Sequence, residues 1–196
     1  MGEATDDDAA DTPASHEMPT ASARTGVMGW LLSAAGIVLA ADIVTKVIAV
    51  STLEGREPLR LLGGAVYLVL TRNSGAAFSL GEGFTVVFTL IAVVVIAVII
   101  RYARRLASRP WAVCLGLVLG GAAGNLVDRL FRAPGPLRGA VIDFVSVFDD
   151  SGGVWPVFNV ADSALVIGVV VAVLLSWTGR QMDGTRSEAA GPGREA

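Results

Sequence analysis

Four long apolar runs set the pattern of the chain. The first is Val27–Val50 (VMGWLLSAAGIVLAADIVTKVIAV) and the second Phe84–Ile100 (FTVVFTLIAVVVIAVII). The third extends from Trp111 to about Leu130, and the fourth from Val157 to Trp177. Each is about the length needed to cross a ~30 Å hydrocarbon core. They predict an α-helical integral membrane protein with four transmembrane helices at about 27–50, 84–100, 111–130 and 157–177. Between the first two runs, GGAVYLVLTRNSGAAFSL is rich in Val, Leu and Tyr and ends in a Gly/Asn/Ser turn signal. It predicts a strand or hairpin outside the membrane. Residues 1–25 (Asp, Ala, Ser, Thr, Pro) and 179–196 (polar, Gly-rich) read as disordered tails on a four-span unit at 26–178.

Four spans put both ends of this unit on one side. The loop RYARRLASR between spans two and three carries Arg101, Arg104, Arg105 and Arg109. The positive-inside rule therefore leans this loop and both termini toward the cytoplasm. Charged residues make up 17% of the chain, against roughly 25% in an ordinary soluble domain, which agrees with the membrane class. The net charge of −3 is a property of the N-terminal segment: six acids precede the first basic residue, Arg24, and the rest of the chain is mildly basic. No basic stripe is interleaved with aromatics, so nucleic acid is not an expected partner. Cys114 is the single cysteine and His16 the single histidine, which leaves no intrachain disulfide, no zinc-type metal site and no Cys/His nucleophile pair.

The polar exceptions inside the spans are informative. With span one running outward, Asp42 and Lys46 lie in its outer half. Span three also runs outward and carries Asn125, Asp128 and Arg129 at its outer end, while span four starts outside with Asn159 and Asp162. Asn73 and Asp143 belong to the two outer loops. Each set within a span is spaced i, i+3 or i+4 and shares a helical face. A charge at mid-bilayer costs about 2.5–3.5 kcal/mol on insertion scales, so these faces turn toward protein or a wet cavity. Together they describe a polar pocket at the outer membrane face.

Each group also has a plainer reading. Asp42–Lys46 is a self-neutralising i,i+4 pair of the kind that supports a helix end. Asp128 beside Arg129 suggests a positioned guanidinium, and a carboxylate held by Arg makes a poor proton carrier. Asn73 is a turn residue by type. Asp162 could soften a helix dipole, although a helix starting near Pro156 would put it about 9 Å in, beyond the first turn where that benefit lies. Asp143, between Val141, Ile142 and Phe144, is expected to be desolvated with its pKa pushed up. Two acids near one membrane surface suggest a carboxylate pair for acid–base chemistry. A proton-coupled transporter would also bury Asp, Lys and Arg, though near the midplane and commonly with inverted repeats, which are not visible here. A lipid-binding membrane assembly factor is a third class.

DIVTK, RNSGAAF, GGAAGNLVDR, VIDF and FNVADS occur in this order along the four-span pattern. With them the chain resembles the lipoprotein signal peptidase (signal peptidase II) family over about residues 28–177. The resemblance implies a membrane aspartyl endopeptidase of the bacterial inner membrane. Its substrates would be diacylglyceryl-modified prolipoproteins, cleaved on the N-terminal side of the lipidated cysteine. It implies Asp143 and Asp162 as the catalytic dyad, with Asp42, Lys46, Asn73, Asn125, Asp128, Arg129 and Asn159 shaping the site. It also implies a small extracytoplasmic β-rich cradle within about 51–83. No cofactor or metal is implied, membrane lipid is the surroundings, and a complete dyad in one chain lets a monomer work. The FDDSGG stretch and both tails depart from the family's minimal pattern; Asp149 and Asp150 read as solvated loop acids.

Overall fold

The computed structural model describes residues 21–75 and 84–186. Most of the expected tails (1–20 and 187–196) and the end of the RNSGAAF stretch lie outside the described residues. The elements in chain order are α1 (Ala21–Leu53), β1 (Leu59–Leu61), β2 (Val66–Asn73), α2 (Phe84–Ala103), α3 (Arg109–Phe131), β3 (Val141–Val147) and α4 (Val160–Trp177). All four helices are long and apolar enough to cross a membrane. The outward faces of α1, α2 and α4 carry exposed large apolar residues, such as Ile37, Val47, Leu90, Val94, Val166 and Val170. A soluble chain would not leave such surface open; in a bilayer it faces lipid.

Helix α3 is the centre of the bundle and packs on α1, α4 and α2. Lipid tails are as apolar as leucine, so helices in a membrane gain by close backbone approach rather than by hiding apolar area. Gly116, Gly120 and Gly124 form a stripe at four-residue spacing on α3. A Cβ on Gly116 or Gly120 would lie within 2.7 Å of the Leu31 or Ala35 carbonyl oxygen of α1, and one on Gly124 would lie 2.5 Å from the Asp42 carboxylate. That stripe is what brings α3 against the polar face of α1.

The three strands form one antiparallel sheet in the order β1-β2-β3. β2 falls in the expected strand region, β1 lies just before it, and their hairpin turns through Leu62, Gly63 and Gly64, all at positive φ. β3 is an addition: the VIDF stretch, expected as loop, is a strand. Ile142 and Phe144 on one face pack with Ala49, Val50 and Leu53 of α1 and Leu70 of β2. Asp143 points the other way and is also buried, so β3 lacks the polar–apolar alternation of a half-exposed strand. β2 and β3 pair Thr71 with Asp143 and Asn73 with Val141. Successive residues on one strand face are two apart, so this register sets the Asn73 side chain diagonally across from Asp143.

Candidate active site

The site is built from the ends of α1, α3 and α4 and the adjoining edge of the sheet. Helix α4 begins later than its apolar run suggests. Phe158 is held extended by a bridge to Val145 of β3, so the first helical residue is Val160 and Asn159 is its N-cap. Asp162 is therefore in the first turn, not beyond it. Its Oδ2 accepts from Asn159 N at 3.2 Å, and Asn159 Oδ1 accepts from Asp162 N at 2.9 Å. This reciprocal capping box satisfies two otherwise orphaned donors, and the helix dipole favours a negative charge there.

The same asparagine reaches the other acid. Asn159 Nδ2 donates to Asp143 Oδ1 at 2.7 Å, and Asn73 Nδ2 donates to Asp143 Oδ2 at 3.0 Å. Asn73 is also the turn residue its type suggests, because its Oδ1 accepts from Gly75 N at 2.8 Å, which aims the amide nitrogen at Asp143. On the far side, Asn125 Nδ2 donates to Asp162 Oδ1 at 2.8 Å, while Asn125 Oδ1 accepts from Lys46 Nζ at 3.0 Å. An unbroken chain of contacts thus runs Asn73–Asp143–Asn159–Asp162–Asn125–Lys46. Asp143 is 2% exposed. Burial, and then the neighbouring charge of Asp162, push its pKa up to about 7, against the pull of the two asparagine amides and Lys46.

A second acid cluster lies behind the first. Lys46 Nζ is 2.7 Å from Asp42 Oδ2 and 2.8 Å from Asp128 Oδ2, and all three residues are buried. Asp42 Oδ1 accepts from Ala161 N at 3.0 Å, tying α1 to the start of α4. Asp128 is not held by Arg129. Its partners among the described residues are Lys46, Arg132 and the Ile142 amide. Adjacent residues on a helix point about 100° apart, whereas i and i+4 share a face, so Arg132 meets Asp128 and Arg129 does not. Arg129 instead lays its guanidinium over the Phe88 ring, 5.8 Å from the centroid. It is 9% exposed, its charge acts on Asp143, Asp162 and Asp128, and among the described residues its Nη1 has no hydrogen-bond partner.

Two openings reach the carboxylates. A pocket of about 270 Å³ is lined by Thr71, Asn73, Asp143, Ser151, Gly152 and Val157. A groove of about 340 Å³ exposes Asp162 among Trp155, Phe158, Ser163, Val166 and Ile167. The 149–157 loop borders both. Asp149 organises this loop rather than simply meeting solvent: it accepts from the backbone N–H groups of Gly152, Gly153 and Val154 at 2.7–2.9 Å. Partial desolvation works against its charge, but the Val154, Gly152 and Gly153 amides hold its carboxyl below the usual carboxylate range. The sequence signal for this was the Asp followed by Ser-Gly-Gly, a turn-forming composition. Arg132 and Phe88 were also not singled out; Arg132 had a signal in its i+4 spacing from Asp128. Among the described residues no group of three or more His, Cys, Asp or Glu side chains is arranged to hold a metal ion.

Comparison with known proteins gives a consistent answer. Residues 34–178 match a family described as signal peptidase (SPase) II. The chain is 55% identical over 161 residues to the lipoprotein signal peptidase of Mycobacterium avium (strain 104), an alignment covering 81% of this chain and 86% of the relative. It is 54% identical over 152 residues to the lipoprotein signal peptidase of Rhodococcus jostii (strain RHA1), covering 78% and 74% respectively. Among solved structures, a bacterial membrane enzyme determined by the in meso method at 2.3 Å resolution superposes with a TM-score of 0.67 at 25% identity, over 82% of this chain and 94% of that one.

Proposed function

Because the chain belongs to the signal peptidase II family of aspartic peptidases, we propose that it removes signal peptides from diacylglyceryl-modified prolipoproteins, with Asp143 and Asp162 as the catalytic pair. The observation that carries this reading is the asparagine bridge, which joins a buried strand carboxyl to a helix-cap carboxylate with no cation in ion-pair contact with either acid among the described residues. Two close carboxyl groups ionise with difficulty together and titrate as a pair. Burial favours the protonated form of Asp143, and the capping box fixes the orientation of the Asp162 carboxyl beside it. Asp162 is then the base that takes a proton from water as it attacks the scissile carbonyl. Asp143 is the acid that hydrogen-bonds the carbonyl oxygen in the tetrahedral state. A proton passes on to the leaving nitrogen, and no covalent intermediate forms. Arg129, near both acids but paired with neither, steadies the one negative charge the pair keeps.

The four apolar helices and the family make this a multi-pass protein of the bacterial inner membrane. In the proposed orientation the Arg-rich α2–α3 turn and both termini are cytoplasmic. The sheet is then the extracytoplasmic cradle, and the carboxylates lie at the outer interface. There a lipid-anchored peptide presents its bond at the level of the dyad, with the polar pocket taking backbone and the apolar groove suited to an acyl chain. Gathering of the acids at one end of the bundle, not at its midplane, also favours a peptidase over a proton-coupled transporter. The deciding experiment incubates the purified protein with a lipidated lipobox peptide and follows the shortened product by mass spectrometry. Cleavage on the N-terminal side of the lipidated cysteine, lost in Asp143→Asn and in Asp162→Asn, is the expected result. Substantial turnover by either variant removes the dyad from the reading.

A further inference from the structure

The end of the bundle opposite the carboxylates holds another cavity. There the C-terminal ends of α2 and α4 meet the start of α3. The segment after Trp177, which reads as a polar tail, is folded as far as Arg186. Gln181 N donates to Thr185 O, and Arg180 bridges Arg186. The Met182 carbonyl accepts from Ala107 N and Ser108 N at the start of α3, and Trp111 Nε1 donates to Arg180 O at 2.9 Å. This folded-back turn closes one side of a cavity of about 670 Å³ lined by Tyr102, Arg105, Trp111, Ser176, Arg180 and Gln181, among others.

The charge at this end is lopsided. Arg101, Arg104, Arg105, Arg109, Arg180 and Arg186 lie in the three segments that meet here. Among the described residues none of them is in an ion pair, whereas at the other end Arg72 meets Glu54 and Arg132 meets Asp128. Among the described residues Asp183 is the one acid lining the cavity, and its Oδ1 is turned to Thr185, accepting from both the backbone N–H and the side-chain hydroxyl. We infer that the cavity binds the phosphate-bearing headgroup of an anionic membrane glycerophospholipid, held between the guanidinium groups of Arg105 and Arg180. A guanidinium fork matches two phosphate oxygens, and Ser176 and Gln181 offer partners for headgroup hydroxyls. A lipid suits the site better than a free phosphate because the cavity lies where helices leave the bilayer. Tyr102 and Trp177 stand exposed beside it, as aromatics do at headgroup level. The exposed Ile100, Val173 and Leu174 continue from it along the helices, where acyl chains would lie.

The test uses the full chain in a neutral detergent, titrated with dioleoylphosphatidylglycerol or dioleoylphosphatidylcholine and followed by native mass spectrometry and thermal unfolding. The expected result is one retained phosphatidylglycerol per chain and a raised Tm, neither seen with phosphatidylcholine. Arg105→Gln combined with Arg180→Gln should weaken retention roughly tenfold or more, since hydrogen bonds to a charged group are lost. Arg56→Gln with Arg138→Gln removes the same charge at the other end and should leave retention unchanged. Unfolding in the absence of lipid checks that each variant is folded. Equal retention of the two lipids overturns the inference, as does full retention by the Arg105/Arg180 variant or equal weakening by the Arg56/Arg138 variant. Displacement of the lipid by inorganic phosphate or glycerol 3-phosphate at equal concentration also overturns it, in favour of a soluble phosphate ligand.

Discussion

Four buried or half-buried aspartates crowd one end of this protein, and they are kept in two different ways. Asp42 and Asp128 share Lys46, whose ammonium is in ion-pair contact with both carboxylates and donates to Asn125, and Asp128 has Arg132 as well. Two carboxylates there meet two cations. Asp143 and Asp162 are held by neutral amides alone: Asn73 and Asn159 on the first, Asn125 and the Asn159 backbone on the second. The first cluster is internally ion-paired and joins α1, α3 and the start of α4. The second leaves Asp143 buried with no cation in contact, so it holds its proton more tightly than in water, which costs stability and is what the proposed acid–base chemistry needs. Residue type is the same in both clusters, and the partners decide the role.

The sharpest way to break this contrast is to neutralise one acid in each cluster. Asp143→Asn and Asp162→Asn should each lower cleavage by roughly 10²–10⁴-fold, the range for loss of a general acid or base, with the fold retained. Lys46→Met should act in the opposite sense. It leaves the buried Asp42 carboxylate without a cation and removes one of the two on Asp128, and should cost about 3–5 kcal/mol, read as a fall in Tm in detergent. If Lys46→Met leaves Tm unchanged, or the dyad variants lose Tm as heavily, the two clusters are not different in kind.

The pH dependence sharpens the same comparison. In the unfolded chain Asp143 titrates near 3.8, and in the folded protein near 7. The folded state thus holds its proton more tightly. The stability linked to Asp143 is fully present below about pH 4 and is lost as the pH rises through 7. Asp143→Asn should therefore gain Tm relative to the parent between pH 5 and pH 8, and a constant difference would count against a buried, proton-holding Asp143. Cleavage should fall on the alkaline side as the pair loses its shared proton. Asn73→Ala removes a donor that favours the charged form, so this alkaline limb should move to higher pH, with a smaller loss of rate than either dyad variant.

How much of this was legible in the sequence follows from the physics of each element. The spans were readable because a membrane helix needs a continuous apolar run, and nothing else in the chain supplies one. The gathering of Asp42, Lys46, Asn125, Asp128, Asn159 and Asp162 at one end follows from span order. β3 was not readable: with both faces covered, VIDFVSV lacks the alternation that marks a strand. The start of α4 was misplaced because apolar Val157 and Phe158 continue the run while a bridge to Val145 keeps Phe158 extended. Pairings were the hardest. Asn73 and Asp143 are seventy residues apart, and only the β2–β3 register puts one diagonal to the other. Arg129 next to Asp128 in sequence invites a pair that helix geometry forbids.

The smallest expected effect concerns Asp149, an acid that belongs to neither cluster. Its carboxylate collects three backbone N–H groups and the Ser146 and Ser151 hydroxyls, and so fixes the loop that borders both openings to Asp143 and Asp162. It touches neither Asp143 nor Asp162 among its hydrogen-bond partners. Asp149→Ala frees the loop, so a productive pose has to be ordered on binding rather than before it. The expected signature is a KM raised a few-fold with kcat nearly unchanged, the pattern of lost substrate positioning. Because the loop amides favour the charged form, the loop's support is present above the unfolded carboxyl range and fades as the pH falls through the lowered folded pKa. The KM of the parent should approach that of the variant at acid pH. A fall in kcat of the size seen for the dyad variants would instead make Asp149 part of the chemistry, and the distinction between acids held by amides for catalysis and acids held by amides for shape would have to be redrawn.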